Sequence, residues 1–169
     1  MSPFAAAVYS ADTADRGALT KFAARQKQSG IRVGGLLQEA ILDSDGETVG
    51  LNAVDVSAER RIPITRPVEK NSGDCAFDAS ALAQTAAVLD EAVAQHLDLV
   101  VVEKFGELEQ NGEGLIDEIF QTIAAGIPLL IAVPESALPL WQECSGELGS
   151  VLPFSEAAFE QWWQETANG

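Results

Sequence analysis

Apolar residues in this chain fall into short runs separated by stretches of helical periodicity, and that alternation sets the expected fold. Phe4 to Tyr9 reads as a first buried strand and Ile31 to Leu37 as a second. Between them, Arg16 to Ser29 puts Leu19, Phe22 and Ala23 on one helical face, with Gly30 as the residue past its end. Asp43-Ser44-Asp45-Gly46 is a hairpin turn signal between Ala40-Ile41-Leu42 and a partly exposed strand from Thr48 to Val56. Arg61 to Thr65 fits only an edge strand, because Pro63 has no N–H to donate. Arg66 to Asp74 is rich in Pro, Gly, Asn and Ser and reads as a surface loop.

Asp78 then caps a helix from Ala79 to about Gln95, followed by a strand at Leu97 to Val102. Gly114 to Ala125 places Leu115, Ile119 and Ile123 at helical spacing, and Ile127 to Val133 is the next apolar run. A short helix at Leu138 to Cys144 and a last strand at Ser150 to Leu152 follow. Ser155 caps a final helix carrying Phe159, Trp162 and Trp163. Strands alternating with helices predict one α/β domain over residues 1–169: a three-layer sandwich with a mostly parallel sheet and an antiparallel hairpin at one edge. The tryptophan pair reads as docking of the last helix or as an interface patch.

Charge narrows the partners. The chain has 169 residues with 10 Lys and Arg against 26 Asp and Glu, a net charge of −16. That balance opposes nucleic acid and anionic membranes, both of which need a cationic footprint. An anion site would have to be local. The first apolar run is too short for a signal peptide or a membrane span. Cys75 and Cys144 are far apart, which argues against a disulfide framework or structural zinc and for a cytoplasmic location. His96, the only histidine, sits near a helix end where the dipole favours it structurally.

The candidate chemistry gathers where strands end. In Leu99-Val100-Val101-Val102-Glu103-Lys104-Phe105-Gly106-Glu107-Leu108-Glu109, a buried parallel strand ends in charge, a glycine and two carboxylates. Ligands of open α/β sheets bind just past such ends. A phosphate-cleaving P-loop enzyme would hold an Asp for magnesium there and a Glu to activate water; this chain has Glu103 and Lys104.

The loop after the first strand is where a P-loop would sit, and it reads Ser10-Ala11-Asp12-Thr13-Ala14-Asp15-Arg16-Gly17. Arg16 falls at the place of the phosphate-binding Lys, but the glycines and the hydroxyl are missing from theirs. Asp15 is expected to satisfy the helix N-terminus itself and repel phosphate. Glu103, Glu107, Glu109 and Glu113, with Gly106, Gly112 and Gly114, make an acidic loop that is either solvated or a site for a hard cation. Cys75 lies near a helix start but has no base nearby, and Asp74 and Asp78 oppose a lowered thiol pKa.

With these segments placed, the chain resembles a family of uncharacterised bacterial proteins often encoded beside molybdate-transport operons. The matching residues are Val33-Gly34-Gly35-Leu36-Leu37-Gln38, Cys75-Ala76-Phe77-Asp78, Asp98 to Glu109, Gly112-Glu113-Gly114-Leu115, Gly126-Ile127-Pro128 and Trp162-Trp163. The family pattern places Asn where this chain has Glu103. More remotely, the chain is similar to small nucleoside-triphosphatases of P-loop fold. Their Asp-Glu-Ile-Gly-x-x-Glu signature lines up with Glu103 to Glu109, matching at Gly106 and Glu109 but not at the magnesium Asp or the catalytic Glu.

These resemblances imply a degenerate P-loop-NTPase-like scaffold. The expected function is non-catalytic: binding a small anion, an oxyanion or a nucleotide, with a link to molybdenum metabolism. The expected ligand site lies between the Ser10 to Arg16 loop and the Glu103 to Glu109 loop. Arg16 and Lys104 would bear charge, Gln38 and Asp78 would form the rim, and Ser10, Asp12, Phe105 and Gly106 would complete the set. A divergent Mg-dependent nucleoside-triphosphatase is the alternative, with Glu103 or Glu109 holding magnesium and Arg16 replacing Lys. A third reading is a protein-interaction module using the acidic face and the tryptophans. Magnesium or molybdate is the cofactor these readings admit, and a protein partner or a second copy of the chain the macromolecular one.

Overall fold

The computed structural model describes residues 4–67, 75–77 and 79–167. A seven-stranded sheet runs in the order β4-β3-β2-β7-β8-β1-β9. Its strands are β1 (Phe4–Tyr9), β2 (Val33–Leu42), β3 (Thr48–Asp55), β4 (Arg60–Pro63), β7 (Leu99–Glu103), β8 (Leu129–Pro134) and β9 (Ser150–Pro153). β2, β7, β8, β1 and β9 are mutually parallel, while β3 and β4 add antiparallel pairs at one edge. A separate two-stranded pair joins β5 (Thr65–Pro67) to β6 (Cys75–Phe77).

Helices cover both faces. The Val100, Val102, Leu129 and Ile131 face packs on α2 (Ala79–Ala94), α4 (Ile116–Ala124) and α5 (Leu138–Cys144). Trp141 of α5 anchors that layer among Phe4, Phe105 and Phe120, with ring centroids 5.3 to 6.2 Å away. The opposite face, with Ala5, Ala7, Leu99, Val101, Leu130 and Ala132, packs on α1 (Ala18–Gln28) and α6 (Glu156–Ala167). Strand alternation sends neighbouring residues to opposite layers, so the continuous apolar runs of β7 and β8 serve two cores at once. The expected three-layer sandwich with its antiparallel hairpin is therefore the observed fold.

Several boundaries differ, each for a local reason. Ile31 to Leu37 and Ala40 to Leu42 form one strand. β2 pairs with β7 only over Val33 to Leu36 and then runs on as an arm of the hairpin with β3. Gly35 sits in that ladder at φ +109, its position so close to the Val101 carbonyl that a Cβ has no room. α1 begins at Ala18 rather than Arg16, with Gly17 as its N-cap. The acidic segment after β7 is not a free loop: Glu107–Gln110 forms a helical turn, α3. Trp162 and Trp163 are buried, 6.3 Å apart between ring centroids, so the pair docks α6 onto the sheet and is not an exposed patch.

Candidate functional site

In the loop from Ser10 to Gly17, the backbone N–H groups of Ser10, Asp12, Thr13 and Gly17 donate within the loop. The Ser10 N–H donates to the Thr13 hydroxyl at 2.8 Å, and the Asp12 N–H to the Ser10 hydroxyl at 3.2 Å. The Thr13 N–H donates to the Ser10 carbonyl at 3.2 Å, and the Ala18 N–H to the Asp15 carbonyl at 3.3 Å. The Gly17 N–H donates to Asp15 Oδ1 at 2.9 Å, while Asp15 Oδ2 accepts from Lys21 Nζ at 2.7 Å. The Lys21 hydrogen bond and that of Gly17 hold the Asp15 carboxyl below its usual range. A phosphate cradle needs such N–H groups turned toward an anion. Here a carboxylate stands at the start of α1.

Arg16 does not reach into that loop. Its guanidinium carbon lies 3.5 Å from the centroid of the Tyr9 ring and 5.2 Å from that of Phe154, a cation–π arrangement. Glu103 lies within its electrostatic reach. The register explains how. Glu103 stands level with Ala132 on β8, and Ala132 level with Ala7 on β1, two residues before Tyr9 on the same face. Two methyl side chains thus floor the gap between Glu103 and the Arg16–Tyr9 pair. Burial raises the Glu103 pKa, opposed by Arg16, a hydrogen bond from the Gln38 backbone N–H, and Lys104. Glu103 Oε2 has no hydrogen-bond partner. Burial also raises the Tyr9 hydroxyl pKa, with Arg16 opposing and Glu103 reinforcing.

On the other face of the sheet, past the end of β7 and against the middle of β2, opens a cleft of about 200 Å³. Leu36, Ala53 and Val102 floor it, and Leu82, Leu108 and Leu115 wall it. Gln38, Thr85 and Lys104 are among its polar lining residues. Thr85 donates its hydroxyl to the Leu82 carbonyl at 2.8 Å. The Lys104 stem folds back beside Gly106: a Cβ placed there would lie 3.6 Å from Lys104 Cε. Among the described residues Lys104 makes no ion pair.

Glu109 fixes the cleft wall. Its Oε1 accepts from the Gly106 N–H at 3.1 Å and its Oε2 from the Leu115 N–H at 2.9 Å, so one carboxylate caps α3 and ties it to the start of α4. With an N–H on each oxygen, Glu109 is a structural clamp in this arrangement, not an open metal ligand. No group of three potential metal-binding side chains occurs among the described residues.

The structure therefore separates the proposed residues. Gln38, Glu103, Lys104, Gly106 and Glu109 surround the cleft. Ser10 lines a different, open groove beside Val151 and Pro153. Asp12 is exposed, and Arg16 lies over Tyr9. Phe105 is corrected outright: it is fully buried in the core against Trp141, because its backbone N–H bonds the Ala132 carbonyl and turns the ring inward. Asp78 falls outside the described residues. Sequence reasoning missed Ala53 on the cleft floor and Leu82 on its wall, whose strand and helical periodicity signal only core, and Leu108, which no periodicity marks.

Comparison with known proteins follows the same lines. The family model described as "Protein of unknown function (DUF2478)" matches residues 4–162. "Molybdenum import ATP-binding protein ModC 2" of Bradyrhizobium diazoefficiens is 38% identical over 150 residues. That match covers 89% of this chain, but the chain spans only 17% of the length of that relative. The crystal structure of THEP1 from the hyperthermophile Aquifex aeolicus superposes with a TM-score of 0.63 at 12% identity, covering 95% of each chain. The fold is thus α/β and like that of THEP1.

Proposed function

This chain belongs to the DUF2478 family, and from that premise we propose that it is an accessory domain that binds a small ligand without hydrolysing nucleotide. The observation that carries the reading is the Ser10 to Gly17 loop, in which the N–H groups of Ser10, Asp12, Thr13 and Gly17 donate to the loop itself and Asp15 holds the start of α1. Lys104 stands where a water-activating Glu would be needed, and a cation cannot take a proton from water. Both losses lie in the two segments on which phosphoryl transfer depends. A role in molybdenum import is supported by the resemblance to part of a molybdenum import ATP-binding protein, within which a segment like this chain occupies a minor share of the length.

Two assays test this. The first measures phosphate release from Mg-ATP and Mg-GTP; the expected result is none above a no-protein blank. The second is a thermal-melt panel with Mg-ATP, Mg-GTP, ADP, molybdate, tungstate and sulfate at matched ionic strength. A ligand at about 100 times its Kd adds roughly 2.7 kcal/mol, several degrees for a domain of this size. Turnover lost on Glu103→Ala would replace this reading with the divergent hydrolase. That alternative draws on the proximity of Arg16 to Glu103, a cation and a carboxylate at the two strand ends where a phosphate-binding Lys and a magnesium-binding Asp would stand.

A further inference from the structure

We infer that the cleft past β7, against the middle of β2, is a binding site for a small organic anion: an apolar, ring-sized body carrying one carboxylate or similar acidic group. The inference deepens the accessory-domain reading by naming a ligand class and a place, neither of which lies in the Ser10 to Gly17 loop.

The cleft floor and walls are apolar side chains drawn from five elements: Leu36 of β2, Ala53 of β3, Val102 of β7, Leu82 of α2 and Leu108 of α3. An inorganic oxyanion gains nothing from such a lining, because it needs hydrogen-bond donors around its whole surface. An apolar ring gains from leaving water, roughly 25 cal/mol for each Å² it buries. A volume of about 200 Å³ suits one or two fused rings, not a nucleoside triphosphate.

The charge assignment follows by elimination among the groups at the cleft. Glu109 has an N–H on each oxygen. By strand alternation Glu103 sends its carboxyl to the opposite face, where Arg16 acts on it more strongly than Lys104 does. Glu107 is exposed on α3. Lys104 is left as the charged group without an ion-pair partner among the described residues, half-buried beside Gly106 at the cleft. In a chain of net charge −16, a cation held at the mouth of an apolar cleft selects a ligand that is apolar behind and anionic in front.

The test uses 2-naphthoate and its neutral analogue 2-naphthamide as probes, with binding read by isothermal titration and ligand-observed NMR at constant salt. The intact chain should bind the acid at least 10-fold more tightly than the amide. Lys104→Met should bring the acid to the affinity of the amide and leave the amide unchanged. Leu108→Trp, which fills the cleft from the half-buried α3 wall, should abolish both. Circular dichroism melts would show that each variant is folded. Equal affinity for acid and amide, an unchanged acid affinity in Lys104→Met, or no binding of either probe would each overturn the inference. Phosphate release measured on the same preparations separates the two readings. Turnover with Lys104-dependent naphthoate binding would sink the accessory reading and keep the anion site, and no turnover with no naphthoate binding would do the reverse.

Discussion

The Arg16 guanidinium carbon lies 3.5 Å from the centroid of the Tyr9 ring. The side chain at the place of a phosphate-binding Lys is thus laid over an aromatic ring at the end of its own first strand. A planar guanidinium stacks there while still acting on Glu103 through space, which a compact ammonium does less well. The loop that would have held phosphate is closed by its own Ser, Thr and Asp side chains.

Restoring consensus residues at two positions of that loop should not restore chemistry. The double variant Asp15→Gly, Arg16→Lys clears the carboxylate and returns the ammonium. The hydrogen bonds of the Ser10, Asp12 and Thr13 N–H groups remain, and Glu103 and Lys104 still end β7. Phosphate release from Mg-ATP should stay at the blank. Measurable turnover would show that Asp15 and Arg16 together were the obstacle.

Glu103 makes the fold pH-dependent in a defined direction. Its pKa is raised in the folded chain, chiefly by burial, so the folded state holds a proton that the unfolded state has released. Between the unfolded and folded pKa values stability falls as pH rises, and above the folded value the full penalty of the buried charge is present. Glu103→Gln should therefore stabilise at pH 7, where the amide can still accept the Gln38 N–H. The gain should vanish as pH falls through the ordinary carboxylate range. Urea melts of both chains from pH 4.5 to 8 read this; a difference independent of pH would refute it.

Glu109→Ala removes the acceptor of two backbone N–H groups at once. The expected loss is about 2–3 kcal/mol, two charge-assisted hydrogen bonds with partial rescue by water. It should appear as a lower urea midpoint at unchanged slope, and Lys104-dependent probe binding should weaken with it because the cleft wall loosens. Retained stability would mean that water replaces the clamp without cost.

Gly35→Ala should be the most damaging single methyl in the chain. Its φ of +109 disfavours any Cβ, and the obstructing atom is the Val101 carbonyl in the paired strand, which cannot move without breaking the ladder. A loss of about 3 kcal/mol is expected, roughly 6–12 °C in Tm for a domain of this length. Gly30→Ala offers the contrast. It shares a positive φ, but nothing stands within 4 Å of the added methyl, so its cost should be smaller.

The sheet and its helices were legible because periodicity reports burial directly. Leu99 to Val102 and Leu129 to Pro134 are apolar throughout since each is covered on both faces, and that is visible without a structure. α3 was not legible. Its four residues have no apolar period, and what holds it is Glu109 reaching back to Gly106 and forward to Leu115, a tertiary arrangement. The expectation that Asp15 would guard the start of α1 rested on local chemistry, and its carboxylate does accept the Gly17 N–H. The cleft escaped notice for the opposite reason. Leu36, Ala53 and Val102 look like core residues in sequence, and only their placement around a common space, with Leu82, Leu108 and Leu115, makes a cavity.

The alanines at 7 and 132 carry a consequence beyond packing. Methyl groups have little capacity to reorient around a charge, so the strip between Glu103 and the Arg16–Tyr9 pair behaves as electrical insulation rather than as solvent. Two strand spacings, about 10 Å, would largely screen a charge pair in salt water; over this strip the charge of Arg16 still reaches Glu103 and that of Glu103 still reaches the Tyr9 hydroxyl.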